Sequence, residues 1–165
     1  MATLKLTETI ADAIIAKLKA GLAARCTAIN AEKADGITIA PPDTNDYYPG
    51  GPGVLIPVRA VIAVTEHSGE TGEEGPHSFI YTADIGVWIL ETDADRPTLA
   101  RKLWRQARAV TEVLWDDTPR EALPGSAYTL KPAGQRPGRT FEPSDEITVW
   151  SGWYGVLFRC RQLEA

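Results

Sequence analysis

Apolar residues recur every three to four positions between residues 7 and 34: Ile10, Ile14, Leu18 and Leu22, widened by Ile15, Cys26 and Ile29. A stripe with that period predicts one long amphipathic helix with a single buried face. Lys17, Lys19, Arg25 and Lys33 fall largely elsewhere. Thr7 is placed to cap the start and Gly36 to stop the end. Gly21 costs a helix interior about 1 kcal/mol relative to alanine, which points to another element approaching closely there. A second stripe of Leu99, Leu103, Ala107, Val110 and Leu114 predicts a helix over 97–115. Asp93, Asp95 and Pro97 supply the residue types that favour a helix start.

Elsewhere the period changes to two, the signature of half-buried strands. Val54, Ile56, Val58, Ala60, Ile62 and Val64 share one face of a strand over 54–65. Phe79, Tyr81, Ala83, Ile85, Val87 and Ile89 do so over 78–92, and Trp150, Tyr154, Val156, Phe158 and Cys160 over 147–162. These stretches exceed the usual 5–6 residues, so long, twisted antiparallel strands with protruding ends are expected. A shorter strand is expected at 127–131. Residues 39–53 are too rich in proline and glycine for a regular element, and carry Tyr47 and Tyr48 over the surface. Residues 66–77 form the tip of the first hairpin, and a proline- and glycine-rich loop precedes the last strand. The predicted fold class is α+β, a single domain with an extended hairpin and two helices packed on one face of the sheet.

Composition narrows the function classes. The chain has 165 residues, 44% hydrophobic and 24% charged, which suits one globular domain with a substantial core. Its net charge of −5 gives no global basic field to draw nucleic acid or anionic lipid. Cys26 and Cys160 make no metal-ligand or redox pair, and both read as buried thiols in a reducing compartment. No stretch is long and apolar enough to span a membrane, and none has the pattern of a signal peptide. A cytoplasmic protein is expected.

Catalytic chemistry finds little purchase. His67 and His77 lie in the acidic tip with Glu66, Glu70, Glu73 and Glu74, a combination that suits a solvated loop or protein contact better than a rigid metal site. No nucleophile motif or phosphate-cradling loop occurs, and Asp93 and Asp95 are explained by helix capping. No catalytic, cofactor or metal residue is assigned. Charge segregation is more informative. The segment 66–77 holds four glutamates and no lysine or arginine, whereas 96–108 holds five cations, with Arg101, Arg105 and Arg108 in a stripe beside Trp104. A solvated helix face, a protein contact and a phosphate contact all remain open for that stripe. Complementary patches on one small domain also suit head-to-tail joining of copies, which closes into a ring when the rotation allows.

The order of these segments resembles a known family. ETIADAIIAKLKAGLAARCTAINAEKADGI opens the chain, and the tyrosine- and proline-rich PPDTNDYYPGGPG follows. The hairpin VLIPVRAVIAVT…SFIYTADIGVWILET, the helix LARKLWRQARAVTEVL and the strand WSGWYGVLFRCRQLEA complete it. Together they resemble the tail-terminator and tail-completion (neck) proteins of long-tailed bacteriophages. The resemblance implies a non-enzymatic virion protein, assembled in the host cytoplasm, without a cofactor. It forms a hexameric ring that caps the tail tube and meets the head-side connector or stopper. DNA passes through its lumen without specific binding. Glu66, Glu70, Glu73 and Glu74 would touch a neighbouring subunit or line that channel. Arg101, Arg105, Arg108, Arg136 and Arg139 would face neighbours or the tube, and Tyr47 and Tyr48 would sit on a partner-contact loop. The alternatives are a connector, stopper or tube subunit, or an unrelated α+β enzyme or ligand-binding domain with a pocket beneath Tyr47 and Tyr48.

Overall fold

A computed structural model describes residues 6–50, 60–75, 78–115 and 128–164. Helix α1 (Leu6–Lys33) is followed by β1 (Tyr47–Pro49), β2 (Val61–Gly75), β3 (Ser78–Asp93), helix α2 (Arg96–Leu114), β4 (Tyr128–Phe141) and β5 (Trp150–Glu164). The strands make one sheet in the order β1-β2-β3-β5-β4. All neighbours are antiparallel except β1, which runs parallel to β2 and pairs Tyr47 with Ile62. The fold is thus α+β, with a mixed sheet where an antiparallel one was expected.

Both helices lie on one face of the sheet and close a single core. Ile10, Ile14, Leu18, Leu22, Cys26 and Ile29 of α1 meet Leu99, Leu103, Ala107, Val110 and Leu114 of α2 over two rows of strand residues. Those rows are Ala83, Ile85, Val87 and Ile89 of β3 and Val156, Phe158 and Cys160 of β5, as their alternation predicts. The helices run antiparallel and touch where Gly21 faces Val113. A Cβ on Gly21 would sit 2.9 Å from a Val113 methyl, so glycine permits the close approach. On the opposite face of the sheet the Trp88 ring lies over Gly155, where a Cβ would come within 2.9 Å of it.

Four local differences from the sequence expectations have physical reasons. Thr7 lies inside α1 instead of capping it. Residues 47–49 form a strand despite their proline, because a parallel partner at the sheet edge needs only a short ladder. The acidic stretch is strand, not loop: β2 pairs with β3 through a bulge between Glu66 and Ser68 as far as Gly75 opposite Ser78. Finally, β4 continues to Phe141 through Pro132, Gly134 and Pro137. It is an edge strand with register shifts at Pro132/Gly134 and Pro137/Thr140, and there a missing N–H is tolerated. The apolar alternation expected at 54–58 lies outside the described residues. So do His77 and the side chains of His67, Phe79 and Tyr81.

The end of α1 carries a testable feature. Ala34, φ 46°, adopts the left-handed conformation and donates its N–H to the Asn30 carbonyl at 3.0 Å. An L side chain there is strained, and the expected glycine stands two residues on, at Gly36. Ala34→Gly is expected to stabilise the protein by about 0.5–1 kcal/mol, the relief outweighing the extra freedom of the unfolded chain. Urea unfolding of the two proteins side by side would read this.

Candidate assembly surfaces

The chain turning back from α1 is tied down by paired contacts. Asn30 donates to the Ile39 carbonyl at 2.8 Å and accepts from the Ile39 N–H at 2.9 Å. Arg105 of α2 reaches the same turn. Its guanidinium grips both carboxylate oxygens of Asp35 and also donates to the Ile37 carbonyl. Those bonds hold the Asp35 carboxyl well below its ordinary value, at about 2. Arg105 is only 8% exposed, so of the three arginines in the stripe it sits deepest.

Its neighbours divide the remaining work. Arg108 forks onto Glu32 at 2.7 and 2.8 Å and bonds Glu112 one turn further along α2 at 2.7 Å. Glu32 is thereby held at about 2. Arg101 is exposed, with one contact to Asp35 at 3.8 Å, the limit of an ion pair. Lys33, Asp35, Arg101, Trp104, Arg105 and Arg108 enclose an open groove of about 360 Å³. Four cations and one carboxylate line it, Glu32 bonds both Lys33, at 3.1 Å, and Arg108, and Trp104 stands 61% exposed on its wall.

The remaining predicted residues lie apart. Glu66, Glu70, Glu73 and Glu74 are all on β2, in the part of the ladder that leads away from the last buried row. Glu66 is half-buried, and the side chains of Glu70, Glu73 and Glu74 lie outside the described residues. Arg136 and Arg139 are exposed on edge strand β4. Tyr47 and Tyr48 part company. Tyr47 is buried in the core, 5.4 Å beneath Lys19, and burial pushes its phenol up to about 12. Tyr48 is 45% exposed and donates to the Asp46 carboxylate at 3.3 Å. A second open groove, between Gly21 and Ala24 of α1 and Val113 of α2, also lies away from both tyrosines.

Sequence reading missed a buried polar cluster between the helices and the sheet. Gln106, 1% exposed, donates to the Ala40 carbonyl at 2.6 Å, and its amide oxygen faces the Cys26 thiol at 3.9 Å. It also bonds the Glu91 carboxyl, which is 8% exposed and accepts the Thr92 N–H at 3.1 Å. Burial raises Glu91 above the ordinary carboxylate range, the Thr92 and Gln106 bonds and Lys102 only partly offsetting it. Burial likewise raises the Cys26 thiol to about 11 and Cys160 to about 12, leaving both poorly reactive. The signal was present: Gln106 stands on the apolar spacing of α2, three after Leu103 and four before Val110. Glu91 shares the parity of the buried row of β3.

Among the described residues no group of three or more histidine, cysteine, aspartate or glutamate side chains is placed to hold a metal ion. No described helix is long and apolar enough to cross a membrane. No family model matches the chain, and no curated protein matches it. The chain is similar to one in a solved structure titled "Virion of native gene transfer agent (GTA) particle", at 15% identity and a TM-score of 0.48, with 97% of this chain and 99% of that chain covered.

Proposed function

We propose that this protein is a structural assembly subunit of a phage-like virion. Copies join in a ring that terminates the tail tube and meets the head-side connector, in the manner of the tail-terminator family it resembles. The observation that carries this reading is the order of elements in a single sheet. A long helix, a tyrosine-bearing edge segment, a long hairpin, a second helix and a closing strand follow one another as that family's layout implies. Two features support it. Strands β2 to β5 have 14–16 residues, well over twice the ordinary length, which suits a sheet that reaches neighbours. The charges that set orientation lie on separate surfaces of the domain.

In this reading Tyr48, Arg136 and Arg139 face partners, the tail tube or the connector, while the acidic end of the hairpin meets a neighbour or lines the lumen. An acidic lumen lets DNA pass without holding it. Light scattering of the purified protein over a concentration series, with negative-stain images at the top, is expected to reveal closed rings of about six subunits. A monomer at every concentration, unchanged by added tail tubes, would overturn the proposal.

A further inference from the structure

From the placement of charge, and resting on the ring reading above, we infer that the acidic end of the hairpin docks into the Trp104 groove of the next copy, and that this contact joins the ring. The two surfaces match in sign. The end of β2 brings Glu70, Glu73 and Glu74, with no lysine or arginine between residues 66 and 77. The groove brings Lys33, Arg101, Arg105 and Arg108, one cation more than the Asp35, Glu32 and Glu112 carboxylates bonded to them, and Arg101, with its single contact at 3.8 Å, is the least engaged. The groove also offers an anchor, since an exposed tryptophan rimmed by charges is the composition of a protein-binding hot spot.

Distance keeps the two apart within one chain. The 16 residues of β3 span roughly 50 Å, with the hairpin end at Ser78 and the start of α2 just beyond Asp93. Helix α2 folds back by about 1.5 Å per residue, so Arg101 and Arg108 lie roughly 8 and 18 Å from its start. On the order of 30 Å then separates groove from hairpin end along a ladder broken only by the shifts at Glu66/Ser68 and Glu73/Gly75. A chain built this way cannot satisfy its own groove, but each copy can fill the next. Such a contact is heterologous, and repeated it generates a ring when the rotation closes. Nucleic acid is the less favoured occupant. The protein is acidic overall, which repels a polyanion from the domain as a whole.

Charge reversal on each surface tests this, using E70K/E73K/E74K for the hairpin end and K33E/R101E for the groove. Arg105 and Arg108 are left alone because they hold α2 to α1. Each variant should keep the parental circular dichroism and melting temperature, yet elute as a monomer where the unaltered protein forms rings. Mixed in equal amounts, the variants should regain ring mass, because each reversed hairpin meets a reversed groove or each native one a native groove. The restored rings should contain an even number of subunits with the variants alternating, read by native mass spectrometry. Rings formed by either variant alone would overturn the inference and leave the ring reading intact. Single variants that fail to assemble and are not rescued by mixing would also overturn it, since the two surfaces would then meet different partners. Loss of DNA retention by K33E/R101E with rings unchanged would assign the groove to phosphate instead. An unaltered protein that stays monomeric at every concentration and with added tail tubes would remove both the inference and the reading beneath it.

Discussion

Replacing Phe158 with alanine is expected to destabilise the protein by about 3–5 kcal/mol, the largest single-residue loss in the sheet. The ring is completely buried at the centre of β5, paired across the ladder with Ile85 of β3 on one side and Pro132 of β4 on the other. Both helices sit over that face, so the truncation leaves a cavity that rigid neighbours on three sides cannot fill. Trp153→Ala is the control. Trp153 stands on the opposite face and is only half-buried, so its loss should be distinctly smaller. Guanidinium unfolding followed by circular dichroism reads both, and a Phe158→Ala variant within 1 kcal/mol of the parent would displace Phe158 from the core.

That prediction rests on residues whose placement was legible in sequence. Apolar alternation put Ile62, Val64, the odd positions of β3 and the even positions of β5 on one buried face, because a period of two admits no other assignment once one face is covered. The helical stripes were equally direct, and Gly21 announced the helix contact. What escaped was set by partners distant in sequence. Pro132 and Pro137 argue against a strand locally, yet β5 supplies a ladder along which an edge strand with bulges can run. Arg105 looks like its neighbours Arg101 and Arg108 in a stripe. It is buried only because the turn after α1 brings Asp35 and Ile37 to it, some 70 residues away in the chain. For the same reason Tyr47 and Tyr48, adjacent in sequence, end in core and solvent.

The buried polar cluster yields the second large effect. Gln106→Ala is expected to cost about 2–4 kcal/mol, since it opens a cavity and strips the Ala40 carbonyl and the Glu91 carboxyl of a partner. It should also change how stability depends on pH. Glu91 is raised in the folded protein, so the folded state holds a proton that the unfolded chain has already released. Its contribution is complete below the ordinary carboxylate range and is lost as pH rises through the raised folded value. Without Gln106, a bond that favours the charged form is gone, so this loss should extend over a wider range of pH. Glu32 and Asp35 act oppositely. Both are held at about 2, so their stabilisation is present at neutral pH and lost only as pH falls below the ordinary range toward 2. The windows therefore separate: acid loss reports the α1–α2 ion pairs, and loss on raising the pH from about 4.5 reports Glu91. Glu91→Gln should remove the second limb and make the protein more stable at neutral pH, its amide keeping the Thr92 bond. Urea midpoints taken from pH 3 to 9 for the parent, Gln106→Ala and Glu91→Gln would test this; parallel curves above pH 5 would mean that Glu91 titrates like an exposed carboxylate.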